Sequence, residues 1–193
     1  MRRRLGIRTA RSESGLSRAK AVSPIVQNGA MDTLAVLAAE SPPVILRTAT
    51  DADVAAIVAL IAADQLGANR DGVRDEADLA AYTAAFRSID ADPAHLLVVA
   101  ERDGQIVGTL HLSFLPGLAR RGALRAQIEA VRVAQSERGS GLGAAMMRWA
   151  IDEARRRGCA LVQLTSDKTR MDAHRFYARL GFVASHEGMK LAL

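Results

Sequence analysis

One segment restricts the fold more than any other. Ile128-Glu129-Ala130-Val131-Arg132-Val133 is an apolar-rich run suited to a strand, and a pattern ending at Arg157 is strongly helical. Between them lie Gly139, Gly141 and Gly143, spaced two apart, which open a helix poorly on propensity alone. A strand that feeds a long helix through a flexible turn calls for a sheet with a helix crossing it. The first turn of that helix carries unpartnered N–H groups and a partial positive charge, so it is suited to an anion such as a phosphate. Glycines clear the approach, where side chains would obstruct it. A Walker A loop is excluded because Ala144-Ala145 stand where Lys-Ser/Thr would be required. A dinucleotide fingerprint is disfavoured because the segment comes two-thirds along the chain, after a hairpin.

The surrounding pattern gives the order β-α-α-β-β-β-α-β-α-β-β, a single α/β domain with a mixed central sheet. Val44-Ile45-Leu46-Arg47, behind two prolines, is the first strand. Thr50 caps a helix from Asp51 to about Gln65, and a second runs from about Asp75 to Ile89. Leu96–Glu101 and Gln105–Phe114 form a hairpin across Asp103-Gly104, and Pro116–Arg125 is a loop. After the strand Ala126–Val133 and the long helix, Leu161–Thr165 is a buried strand and Asp172–Leu180 a short helix. Phe182-Val183 and Met189–Leu193 are expected to be a final pair of strands.

Net charge of +5 and a pI near 10.1 suggest a nucleic-acid partner only until the charges are located. Residues 1–30 carry seven basic side chains against Glu13 alone, while the remainder holds 19 basic and 20 acidic ones. The body is nearly neutral, with no basic stripe interleaved with aromatics, so no nucleic-acid partner is expected. Residues 1–43 are read as a disordered basic leader, with Met31 as an alternative start, and 44–193 as the folded domain. No run approaches the ~18 apolar residues of a membrane span. Cys159 is the only cysteine, which fits a reducing compartment and a cytoplasmic location. Four scattered histidines and that cysteine offer no metal-ligand spacing, so no metal is expected.

Two motifs carry a family resemblance. Arg138-Gly139-Ser140-Gly141-Leu142-Gly143 matches the Q/R-x-x-G-x-G/A motif of the GCN5-related N-acetyltransferases, the GNAT superfamily. Ala173-His174-Arg175-Phe176-Tyr177-Ala178-Arg179-Leu180-Gly181-Phe182 resembles its late A-x-x-F-Y-x-x-x-G-F segment. The final third also resembles the small-molecule branch that contains aminoalkylphosphonate and glucosamine-6-phosphate acetyltransferases. Arg170 departs from the pattern, since many members carry asparagine there. The resemblance implies acetyl-CoA as donor, its pyrophosphate on the amides of Arg138, Gly139, Ser140, Gly141, Leu142, Gly143 and Ala144. Its pantetheine arm would pair with the backbone of Val131, Arg132 and Val133. The acceptor implied is a small-molecule primary amine, and family members often form homodimers.

Within that frame Glu129 is the candidate general base, raised in pKa by burial and acting directly or through water. Its alternative is a strand-edge carboxylate paired with Arg132 or a loop arginine. Tyr177 is the family-matched general acid, with packing beside Phe176 as its alternative, and the Val131 N–H is the expected oxyanion donor. His174 is read as either a cleft or a surface residue, His95 and His111 as structural, and Cys159 as core. Arg120, Arg121 and Arg125 could meet an anionic acceptor, and Thr165, Ser166, Asp167 and Lys168 are expected beside the cleft. Two other functions stay open: a protein N-terminal or lysine acetyltransferase, and a non-catalytic acyl-CoA-binding module.

Overall fold

A computed structural model of the chain describes residues 32–37, 42–64 and 70–192. Six strands form one sheet in the order β1 (Thr33–Val36), β2 (Ile45–Thr48), β3 (His95–Arg102), β4 (Gln105–Leu115), β5 (Arg125–Val133) and β6 (Leu161–Leu164). All neighbours are antiparallel except β5 and β6, which run parallel. The connection between that parallel pair is the long helix α4 (Leu142–Arg156), as a parallel crossover requires. Helices α1 (Val54–Ala62) and α2 (Glu76–Asp90) precede β3, a single turn α3 (Ala119–Gly122) precedes β5, and α5 (Met171–Arg179) follows β6.

The two faces of the sheet are covered by different helices because the strands alternate. Val98, Ala100, Leu110, Leu112, Ala126 and Ile128 point to one side and pack with Leu142, Met146, Met147, Ala150 and Ala154 of α4. The opposite side carries Leu97 and Val99, covered by Val54, Ile57 and Val58 of α1 and Phe86 of α2. Gly108 shows how closely α4 approaches: a Cβ there would lie 2.9 Å from the Met146 sulfur. The start of α1 is locked by a buried ion pair. Arg47 on β2 grips both oxygens of Asp53 at 2.7 and 2.8 Å, and Asp53 also accepts from the backbone and hydroxyl of Thr50. Glu101 holds the remaining Arg47 Nε at 2.7 Å.

Two differences from the sequence expectations concern the ends of the folded part. Thr33–Val36 forms an edge strand with Ala35 buried, inside the stretch assigned to the leader, so the folded domain includes it. Residues 180–192 contain no helix or strand, and the final strand pair is absent. Val183, Met189 and Leu191 are 82%, 94% and 87% exposed, so the apolar side chains there pack into no core. The rest of the basic leader, Met31, and the expected end of the first helix at Gln65 lie outside the described residues. No helix among the described residues is long and apolar enough to cross a membrane.

Candidate functional site

Strand β5 has two different halves. Arg125 to Ile128 pair with Leu161 to Leu164 of β6, and that pairing then stops. From Glu129 to Val133 the strand bonds only to β4, leaving its other edge without a strand partner among the described residues. A bulge marks the change. Between the pairs His111–Glu129 and Thr109–Arg132, β5 holds one residue more than β4. Ala130 sits there at φ +50°, a left-handed conformation that costs a non-glycine residue roughly 1–2 kcal/mol. Strain of this kind collects where backbone must be presented to a ligand.

The open edge runs directly into the glycine turn. Gln135–Glu137 form a 3-10 turn, anchored where Arg102 at the end of β3 reaches Glu137 at 3.2 Å. Gly139 and Gly141 then adopt φ of +87° and +88°, with open space where a Cβ would stand. Gly143 differs: its φ is ordinary for a helix, and a Cβ there would make normal contacts with Val133 and Phe176. Two glycines thus supply a left-handed backbone, and the third is not needed for clearance. Ser140 Oγ accepts from Leu142 N at 3.2 Å and donates to the Glu137 carbonyl. The N–H groups of Gly143 and Ala144 find no acceptor among the described residues, so the positive end of α4 is uncapped.

Tyr177 stands on α5 next to Phe176, the ring that borders the turn at Gly143. Its ring meets Phe176 and Phe182 edge-on, with centroids 5.2 and 6.0 Å apart. Burial raises the phenol above its ordinary range, opposed by the nearby charges of Arg170 and Arg132. The phenol therefore keeps its proton at neutral pH, as a proton donor must. Asp64, just after α1, joins these elements: its Oδ2 lies 3.2 Å from Arg132 and 3.5 Å from Arg170. Arg132 also donates to the Val131 carbonyl at 2.9 Å, which occupies one acceptor beside the open edge. Arg170, the departure from the family motif, is therefore an ion-pair partner beside Tyr177.

Glu129 is exposed, so the burial expected of it from the sequence is absent. The alternative pairing with Arg132 is also absent, because Asp64 holds that arginine. Glu129 shares the α1–α2 face of the sheet with His111, directly opposite on β4. His174 donates its Nε2–H to the Asp167 carbonyl, 2.8 Å away, and so ties α5 to the preceding loop. Asp167 accepts from the Thr169 amide, Lys168 pairs with Glu187, and Ser166 Oγ is buried without a partner among the described residues. Arg120 and Arg121 are exposed at φ +55° and +62°, Arg125 is exposed, and Cys159 is half-buried with its thiol raised by burial. Among the described residues no cluster of His, Cys, Asp or Glu is arranged to hold a metal. Sequence reasoning missed the bulge at Ala130, the Asp64–Arg132–Arg170 cluster and a bonded pair, His95 and His111.

Known proteins resemble this chain in sequence and in fold. The family described as "Acetyltransferase (GNAT) family" matches residues 59–182. An aminoalkylphosphonate N-acetyltransferase of Salmonella typhimurium is 32% identical over 141 residues, 73% of this chain and 86% of that protein. A glucosamine 6-phosphate N-acetyltransferase of Trypanosoma brucei brucei is 38% identical over 90 residues, 47% of this chain and 59% of that protein. A crystal structure from Bacillus halodurans C-125, described as a transcriptional regulator, superposes with a TM-score of 0.74 at 43% identity. It covers 78% of this chain and 99% of its own. The chain belongs to the GNAT family of acetyltransferases.

Proposed function

We propose that the protein transfers the acetyl group of acetyl-CoA to the primary amine of a small molecule. One observation carries this reading: an unpaired strand edge at Glu129–Val133 leads straight into an uncapped helix N-terminus. A pantetheine arm is a chain of amides and suits a strand edge, while a pyrophosphate suits bare helix amides. Val131, Arg132 and Val133 would take the first. To the second, Gly139, Gly141, Gly143 and Ala144 offer amides that bond nothing else among the described residues, while those of Arg138, Ser140 and Leu142 already bond within the turn. With Arg132 on the Val131 carbonyl, the arm has the remaining backbone groups of that edge to bond. Acetyl-CoA supplies an activated thioester, and the chain has three tasks around it.

The acceptor amine must lose a proton before it attacks, and Glu129 faces the α1–α2 side, from which the amine would approach. Its exposure suits a base that works directly or through one water. The tetrahedral oxyanion would be met by the Val131 N–H, a strand amide already fixed in place. The departing thiolate would take the proton of Tyr177, held on that phenol by burial. The relatives named for aminoalkylphosphonate and glucosamine 6-phosphate support a small amine over a peptide.

The Bacillus halodurans structure, described as a transcriptional regulator, favours a second reading as a non-catalytic acyl-CoA-binding regulator. Release of free thiol from acetyl-CoA separates the two. A panel of aminoalkylphosphonates, amino sugar phosphates, simple amines and amino-terminal peptides is offered to the protein. Release with small amines, and a flattened alkaline rise of rate in Glu129→Gln, is expected. Tight CoA binding with no transfer to any acceptor would favour the regulator.

A further inference from the structure

The sheet face around Glu129 carries a chain of polar side chains that donor binding does not use. His111 stands directly opposite Glu129, so their side chains share a face with Cβ atoms about 4.5–5.5 Å apart. His111 Nε2 lies 3.1 Å from Nδ1 of His95 on β3, and Ser113 Oγ lies 2.9 Å from that same nitrogen. In the tautomer that allows proton passage, the His111 Nε2–H and the Ser113 hydroxyl share the single lone pair of His95 Nδ1. It leaves a lone pair on His111 Nδ1, which has no partner among the described residues and is not sealed from solvent. It also places the His95 proton on Nε2, 3.9 Å from Asp92, on a side chain that is 29% exposed.

We propose that His111, acting through His95, carries the ammonium proton of the acceptor from the Glu129 side of the cleft to the surface at Asp92. This rests on the reading of Glu129 as the group that meets the acceptor nitrogen. The acceptor N–H bond breaks and its proton passes to the Glu129 carboxylate, then to His111 Nδ1. The Nε2 proton of His111 moves to His95 Nδ1, and His95 releases its own Nε2 proton to water. One proton leaves the ammonium, one enters solvent, and the amine keeps its electron pair for attack. A half-turn of each ring about χ2 then restores the starting directions of its lone pair and its N–H, so the carried proton is not handed back to the cleft.

The pair does what neither ring would do alone. Burial, with the neighbouring His95, pushes His111 down to about 4, so at neutral pH the ring is uncharged and keeps a single proton, with one nitrogen free to accept another. Passing the charge outward moves it to a more exposed ring. The carboxylates around that route come from separate elements: Glu129 on β5, Asp92 before β3, and Asp90 of α2, which lines a crevice with His95. Each favours a positive charge in transit.

The test compares wild type with His111→Gln and His95→Gln across pH 6.5–9.5, reading kcat/KM for a reactive amine and Kd for CoA. His111→Gln keeps a donor toward His95 but no longer a base. Loss of about tenfold or more at neutral pH is expected, shrinking as pH rises and free amine becomes abundant, with CoA affinity unchanged. A rate within about twofold of wild type throughout, or a uniform loss with the same pH profile, overturns the relay while acetyl transfer itself stands. If His111→Gln does not fold, His95→Gln is read by the same two outcomes. Failure of wild type to acetylate any amine overturns the relay together with the function it serves.

Discussion

The glycine turn makes a sharp prediction, because its glycines are there for different reasons. Gly141 is the N-cap of α4 at φ +88°, ψ −3°, and an added Cβ would meet no atom within 4 Å. Gly141→Ala therefore introduces no clash, and its whole cost is conformational: roughly 1–2 kcal/mol for an L residue in the left-handed region. In a chain of this size 1 kcal/mol moves Tm by about 2–4 °C, so a drop of roughly 2–8 °C is expected. At Gly143 the balance reverses. Its φ is helical, and the new methyl would lie 3.5 Å from Val133 Cγ2 and 3.8 Å from Phe176, both ordinary contacts. Alanine there gains up to about 0.5–1 kcal/mol of helix propensity, so Gly143→Ala should leave Tm unchanged or slightly higher. Thermal unfolding of both apo variants checks the pair, with CoA titration alongside. Gly141→Ala should weaken CoA binding by turning the amides, and Gly143→Ala should bind within a few-fold of wild type. A Gly143→Ala variant less stable than Gly141→Ala would refute the reasoning.

Asp53→Asn removes the charge that both Arg47 and the Thr50 cap depend on, and a buried pair broken on one side costs about 3–5 kcal/mol. Burial works to raise the Asp53 carboxyl, but the bonds from Arg47 and Thr50 prevail and hold it below the ordinary range. A depressed carboxylate stabilises the fold above its unfolded pKa, and that contribution is lost as pH falls through the folded value. Urea unfolding from pH 7 to pH 3 should show this loss in wild type and a smaller acid sensitivity in Asp53→Asn. Tyr177→Phe should leave stability nearly unchanged, because its hydroxyl makes no hydrogen bond among the described residues, while kcat falls at least tenfold. A loss of only a few-fold would reduce Tyr177 to packing against Phe176 and Phe182.

The legible part of the fold rested on local chemistry. The Asp103-Gly104 turn, the glycine segment and the Ala173–Phe182 motif each announce themselves within a few residues, and the strands and helices around them followed. Register was not legible. The hairpin begins with Arg102 opposite Gln105, which by simple counting would set His95 across from Leu112 and leave His111 on the other face. A bulge between Ala100 and Glu101 shifts the count by one and brings His95 to Ser113, on the face that carries His111. The second bulge, at Ala130, is equally silent, since alanine gives no sign of a positive φ. The Asp64–Arg132–Arg170 cluster joins three distant parts of the chain, and no local pattern records it. At the carboxyl end the opposite error arose: apolar runs at Phe182-Val183 and Met189–Leu193 suit strands by composition, yet no neighbouring edge receives them.

The account stands on donor binding along the open edge of β5 and the turn beyond it. Amide hydrogen exchange with and without CoA reads those backbone groups one stretch at a time. Protection should rise at residues 131–133 and 139–144 when CoA is added, and stay unchanged along β1 and β2. Protection elsewhere, with residues 131–144 exchanging as fast as in the free protein, would contradict it.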